Sequence, residues 1–382
     1  MRSIHPFPAR MAPEIAFTCI SKLKPNATVL DPMCGSGTTL RVAAEHGLQA
    51  VGFDIDPLAQ KISTVLCTSF SEIALAEAAA TAESFNIKEC APLAIECEET
   101  RKFIDFWFAP TQKEHLLRLS SYLLQIPTSP IRDLLFVALS RTIITKFRGA
   151  SLAWDVSHSR PHRKKVENDY DVRSGFQTAV RNIIKFHQTT RLSVSADVRL
   201  GDARMSSLEE KADLILTSPP YLNAIDYMRG HRLSLVWMGY TIPALRKIRS
   251  SSIGTEKSLK SECPIIDRYA KSAIGANHLP VPQNRIFHRY IQDSENLMSN
   301  IGKQLKPGGK LILVVANSAI RDVPVEHNKM FREIGRSHSL DLISENTRDL
   351  PNNRRYLPAK SGNGSLEKRM KTEHILEFQS IA

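Results

Sequence analysis

The stretch Asp213-Leu-Ile-Leu-Thr-Ser-Pro-Pro-Tyr221 is an apolar run that ends in two prolines, and it leaves the chain few ways to fold. Leu214, Ile215 and Leu216 read as a strand buried on both faces, the pattern of a parallel sheet. Proline has no N–H to give to a ladder, so the pair cannot continue the strand and the chain must leave the sheet near Ser218. In an open α/β sheet, ligands bind outside the carboxyl ends of the strands. Ser218, Pro219, Pro220 and Tyr221 are therefore expected at a crevice, where a stiff backbone aims the Ser218 hydroxyl, the carbonyls beside it and the Tyr221 ring. Such a corner suits a flat polar ring that carries an amino group. The ring can stack on the tyrosine while its N–H groups reach oxygen acceptors. Alone, the corner reads equally well as a strand-ending turn beside a surface tyrosine, so other stretches must decide.

The first of these is Thr28-Val-Leu-Asp-Pro-Met-Cys-Gly-Ser-Gly-Thr-Thr39. Val29 and Leu30 end a strand, Gly35 and Gly37 permit a tight turn, and Thr38 to His46 reads as a helix closed by Gly47. No third glycine completes a Gly-x-Gly-x-x-Gly register, and no Gly-Lys-Ser/Thr ending marks a triphosphate loop. The next strand, Ala50 to Asp56, puts Asp54 at its carboxyl end, where an acidic residue accepts hydrogen bonds from ribose hydroxyls. Asp56 reads as the cap of a helix with Pro57 at its first position. Later, Val194 to Leu200 forms a strand that runs into Gly201-Asp202, shortly before the Pro-Pro corner.

Together these stretches resemble the DNA amino-methyltransferases, which methylate cytosine N4 or adenine N6. The Thr-Ser-Pro-Pro-Tyr corner is similar to their catalytic motif, and Asp31-Pro-x-x-Gly-Ser-Gly-Thr-Thr39 to their cofactor loop. The resemblance implies a Rossmann-like α/β methyltransferase fold, a mostly parallel seven-stranded sheet with helices on both faces, and S-adenosyl-L-methionine as cofactor. It implies that Phe7 and Pro8, in the His-Pro-x-x-Pro-like arm, help hold the methionine part. Asp31, Pro32, Cys34, Gly35, Ser36, Gly37 and Thr38 would face the amino-acid half, Asp54 and Ile55 the ribose, and Asp202 and Ala203 the adenine. Ser218, Pro219, Pro220 and Tyr221 would be catalytic, with no metal. Members with Ser before Pro-Pro are more often cytosine-N4 enzymes, and those with Asp or Asn there adenine-N6 enzymes. Methylation at cytosine C5 needs a thiolate, usually in a Pro-Cys pair, and this chain has none. An RNA or protein-amine methyltransferase and a non-catalytic nucleic-acid-binding module stay open as alternatives.

The organisation of the remainder follows from periodicity and charge. A net charge of +12 favours a polyanionic partner, and the resemblance makes that partner double-stranded DNA, with a cognate restriction endonuclease as companion. From about Ser71 to Arg191 the alternation of strand and helix stops, and helical spacing recurs over 73–85, 111–125, 131–147 and 174–188. A catalytic core of residues 1–70 and 192–382 is thus expected to carry a helical insertion at 71–191, whose Arg160, Arg163, Lys164 and Lys165 would track phosphates. A basic loop at 241–285, with Arg246, Lys247 and Arg249, reads as a target-recognition element, and a second basic loop holds Arg354 and Arg355. A helix over 287–304, a Pro-Gly-Gly stop and strands at 310–315, 340–344 and 374–378 complete the sheet. Six cysteines match no zinc spacing. No run of apolar residues is long enough to span a bilayer, and no signal-peptide core follows Met1, so a cytoplasmic protein is expected.

Overall fold

The computed structural model describes residues 3–7, 10–143, 148–154, 161–222, 226–255, 264–321, 323–350 and 371–381. Seven strands form the main sheet: β1 (Thr28–Asp31), β2 (Gln49–Asp54), β3 (Asp197–Leu200), β4 (Ala212–Thr217), β5 (Leu305–Val315), β6 (Leu340–Asp349) and β7 (Thr372–Ser380). Their spatial order is β3-β2-β1-β4-β5-β7-β6. The first five pair in parallel, and β7 inserts antiparallel between β5 and β6. From β1 the chain steps outward to β2 and β3, then returns to lay β4 on the other side of β1. That reversal opens a crevice between the carboxyl ends of β1 and β4. Val29 pairs with Leu214 there, so Asp31 and Thr217 end their strands side by side.

Successive side chains of a strand point to opposite faces, and β4 distributes its apolar run accordingly. Leu214 and Leu216 join a core that also holds Val29, Ile312 and Val314, whereas Ile215 joins Leu30, Leu311, Leu313 and Val315 on the other face. On the first face lie α1 (Pro13–Ile20), α2 (Thr38–Glu45) and α3 (Pro57–Cys67), with α4 (Glu72–Ser84), α5 (Glu98–Trp107), α6 (Pro110–Gln125), α7 (Pro130–Ile143) and α8 (Val172–Thr189) built onto them. These last five fall between α3 and β3 in the chain. Arg41, on α2, is buried and ties α2 to α3 and to the end of α8: its guanidinium donates to Leu66 O at 2.9 Å and to Thr190 O at 2.5 Å. After β4 come α9 (Tyr227–Leu235), α10 (Ile242–Ser251), α11 (Pro264–Ile274), α12 (Val281–Gln304) and α13 (His327–Arg336), of which α11 to α13 cover the second face.

Three expectations need correction. The stretch 241–285 is not a loop where it is described: α10 is capped by Thr241, whose hydroxyl accepts from Ala244 N, and α11 buries Ile266, Tyr269 and Ala273. Lysine and arginine are good helix formers, and their number hid two short apolar stripes. The helix α5 was not anticipated, although Thr100, Ile104 and Trp107 are its buried face. Finally, β5 begins at Leu305, before the Pro-Gly-Gly, with a register shift as the partner of Ala212 passes to that of Leu214. Gly309 makes this irregularity feasible. A Cβ there would sit 2.9 Å from Lys306 O and 3.2 Å from Ala212 O, closer than side chains tolerate. Among the described residues, no helix is long and apolar enough to cross a membrane, and no group of His, Cys, Asp and Glu is placed to hold a metal ion.

Candidate active site

A cavity of about 670 Å³ opens at the carboxyl ends of β1, β2 and β4. The β1–α2 turn brings Asp31, Pro32, Cys34, Gly35, Ser36 and Thr38 to its wall, and the end of β2 brings Asp54 and Ile55. Asp202 and Ala203 arrive from the segment after β3, Phe7 from the N-terminal arm, and Ser218 to Tyr221 from the end of β4. The two stretches singled out in the sequence, nearly two hundred residues apart, thus face one space. Gly37 lies behind the wall with φ of 81°, and a Cβ on it would meet Ser63 Oγ at 3.0 Å and Cys67 Sγ at 3.2 Å. Only glycine gives this turn both its left-handed backbone and its close approach to α3. Pro8 lies outside the described residues.

Asp54 fastens the turn. Its carboxylate accepts from Gly35 N at 2.8 Å and from Asp56 N at 2.9 Å. Burial, helped by the neighbouring Asp56 charge, raises the Asp54 carboxyl to about 7, and burial raises Asp31 to about 6. Burial also pushes Asp56 upward, but the His231 ring at 2.5 Å and two N–H groups of α3 outweigh it and hold Asp56 below the usual carboxylate range. The cap expected at Asp56 is therefore present, with a second task that the sequence did not disclose: it binds α9 to α3. Above the turn, Phe7 covers Gly35, stacks on Tyr227 at 5.3 Å and lies 5.5 Å from the His231 ring. His5 anchors this arm in the interior, its Nε2 2.9 Å from Ser140 Oγ on α7.

These protonation equilibria have a measurable sign. The folded value of Asp54 exceeds its unfolded value of about 3.9, so the stability it contributes is lost as pH rises through about 7. Burial lowers His5 to about 3, and His187 and His327 to about 4. For them the stability is present above the unfolded value of about 6.5 and lost as pH falls. These three histidines outnumber the two raised carboxyls, so the cofactor-free protein is expected to lose thermal stability as pH falls below about 6.5, and to lose it more steeply in Asp54→Asn, which has no carboxyl at that position to take up a proton. A fall in melting temperature between about pH 6.5 and 5 that is equally steep in wild type and Asp54→Asn would contradict the enclosed Asp54 carboxyl.

The far end of the cavity is formed by the Pro-Pro corner. Among the described residues, nothing hydrogen-bonds the Ser218 hydroxyl, which lies on the cavity wall. The Tyr221 ring packs against Ala316 and Leu350, with the buried His327 ring near-parallel at 6.4 Å. Arg204 ties the floor together, reaching Asp202 and Asp293 at 2.5 Å and also Ser251 O. Burial raises Asp202, but hydrogen bonds from Arg204 bring it below the usual range. Asp226 accepts from Arg249 Nε at 2.7 Å and is ion-paired with Arg229 at 2.8 Å. The sequence reading left Arg204, Asp226, Arg229, Arg348 and the 251–255 segment without a place at the site, though all line the cavity.

The basic residues expected to meet nucleic acid are scattered. Arg249 belongs to the cavity wall, Arg246 is paired with Glu99, and Arg163 lies over the Phe106 ring at 5.0 Å. Lys164 and Lys247 are exposed, and Lys165 is half-buried. Arg160, Arg354 and Arg355 lie outside the described residues.

The sequence profile of a DNA methylase family matches residues 3–64, which hold the arm, the glycine turn and Asp54. Along most of its length the chain is also similar to the Type II methyltransferase M.MvaI of Kocuria varians: 22% identical over 392 aligned positions, covering 94% of this chain and 85% of that one. In sequence the chain resembles the DNA amino-methyltransferases. A second relative of similar sequence is the Type II methyltransferase M.BsoBI of Geobacillus stearothermophilus, 24% identical over 276 positions. That match covers 64% of this chain and 53% of the relative, so the chain spans about half of that protein's length. Among solved structures, a methyltransferase dependent on S-adenosylmethionine from Methanosarcina mazei aligns over 97% of this chain and 99% of its own, at 9% identity and a TM-score of 0.35. S-adenosylmethionine is the cofactor of the family, and the cavity suits it. The space is ample, burial raises the pKa of the two enclosed carboxylates Asp31 and Asp54, and the cofactor brings positive charge.

Proposed function

We propose that this chain transfers a methyl group from S-adenosylmethionine to the N4 amino group of a cytosine extruded from double-stranded DNA. The observation that carries this reading is the single cavity shared by the β1–α2 turn and the Ser218–Tyr221 corner. Phe7 and the turn from Asp31 to Thr38 would hold the methionine end, Asp54 and Ile55 the ribose, and Asp202 and Ala203 the adenine. When bound, the cofactor supplies an electrophilic methyl group on a positively charged sulfur.

The amine of cytosine is a poor nucleophile because its lone pair is delocalised into the ring. Ser218 Oγ and the main-chain carbonyl beside it would accept the two N–H bonds and turn the lone pair out of the ring plane. Tyr221, held by Ala316, Leu350 and His327, would stack on the base and offset part of the unstacking. Positioning of this kind removes up to about 7–11 kcal/mol from a barrier. Residues 1–70 and 192–382 serve in this proposal as the catalytic core. The helical block at 71–191 and α10 present the exposed Arg163, Lys164 and Lys247 to phosphates.

The test is the product. Unmethylated DNA, labelled through the cofactor methyl group and digested to nucleosides, is expected to yield N4-methylcytosine. Label in N6-methyladenine would overturn the choice of base, and label in RNA but not in DNA would overturn the substrate.

A further inference from the structure

Arg348 stands at the carboxyl end of β6, opposite Glu373 at the start of β7. Both line the cavity that holds the Pro-Pro corner. Two residues further on, Leu350 packs against the Tyr221 ring, so Arg348 belongs to the end of the cavity where a stacked base would lie.

Arg348 differs from three other arginines on this wall. Arg204 is saturated by Asp202, Asp293 and Ser251 O, and Arg229 and Arg249 are both ion-paired with Asp226. The Arg348 Nη1 nitrogen is enclosed and has no hydrogen-bond partner among the described residues. Its nearest carboxylate oxygen, Glu373 Oε2, is 3.7 Å away, beyond hydrogen-bond range. Glu373 thus compensates the charge of the guanidinium while leaving Nη1 unused. An enclosed donor without a partner is unfavourable, and a ligand bearing acceptors would relieve it.

The chemistry of the ring selects that ligand. With the exocyclic amine at Ser218, the next two positions along the edge of cytosine are N3 and the O2 carbonyl, both acceptors. Along the same edge adenine offers N1 and then a C–H. A planar guanidinium matches two adjacent acceptors as a fork, which a lysine ammonium cannot do. We infer that Arg348 donates to N3 and O2 of the target cytosine and is a specificity-determining residue of this site. The inference rests on the base-methylation reading above.

The full-length chain is compared with Arg348→Met and Arg348→Lys on unmethylated DNA, following methylation rate, product nucleosides, cofactor affinity by calorimetry and melting temperature. Both variants are expected to lose about 10- to 100-fold in kcat/KM for DNA, to keep cofactor affinity within about twofold, and to release a larger share of N6-methyladenine. If the methionine variant does not fold, the lysine variant decides. A lysine variant within about threefold of wild type would show that a point charge suffices, as for a phosphate, and would overturn the inference. A parallel fall in cofactor affinity would overturn it too. Unaffected variants of a wild type that makes N4-methylcytosine sink this inference alone, whereas a wild type that makes N6-methyladenine sinks the base assignment as well.

Discussion

Ser218→Ala is expected to lower turnover by about 10²- to 10³-fold, the usual loss when one preorganised hydrogen-bonding group at a reacting centre is removed. Cofactor affinity and melting temperature should hardly change. Ser218 ends β4, whereas the glycine turn and Asp54 follow β1 and β2, so the substitution leaves the other lobe of the cavity intact. Since the Ser218 hydroxyl bonds to no described residue, its removal orphans no internal partner, and the rigid Pro219-Pro220 backbone persists. Single-turnover rates with pre-bound cofactor, set beside a calorimetric titration, separate chemistry from binding. An alanine variant that loses cofactor, or that turns over at the wild-type rate, would remove the serine from the role given to it.

Much of the fold was readable because parallel strands advertise themselves as apolar runs. Val29-Leu30, Leu214 to Leu216 and Leu311 to Val315 are buried on both faces, and each is followed or preceded by a residue that ends a ladder. The glycine turn was equally legible, since Gly37 occupies a backbone conformation few other residues accept. What stayed hidden depends on long-range geometry. His231 carries no local sign that it will meet Asp56, 175 positions away. Arg348 reads as one more cation in a basic stretch until β7 returns beside β6 and sets it near Tyr221. The helices α10 and α11 were masked by lysines and arginines, because a charge-rich segment with a narrow apolar stripe looks the same as a solvated loop until the stripe finds a partner. Asp202 shows the converse. Its position after β3 was clear, but its partnership with Arg204, which engages both carboxylate oxygens, was not.

Asp54→Ala is expected to act on the other lobe. The carboxylate holds Gly35 N and Asp56 N in the cofactor-free protein, so its removal both frees the glycine turn and deletes the acceptor proposed for the ribose hydroxyls. Each hydrogen bond to a charged group contributes about 1.5–3 kcal/mol. Loss of a pair thus weakens cofactor binding by about 10²- to 10⁴-fold, at about 1.4 kcal/mol per tenfold. At saturating cofactor the turnover should recover most of its wild-type value, since the Pro-Pro corner is untouched. The pH dependence gives a second, independent reading. Hydroxyl donors prefer the ionised carboxylate, and Asp54 ionises near pH 7, so wild-type affinity should rise between pH 6 and 8 as the group loses its proton. Asp54→Asn keeps one oxygen acceptor but has no proton to lose, and its affinity should be flat across that range. If the alanine variant binds cofactor as tightly as wild type, or if the asparagine variant keeps the rise with pH, then Asp54 is an internal brace of the turn and the ribose is held elsewhere.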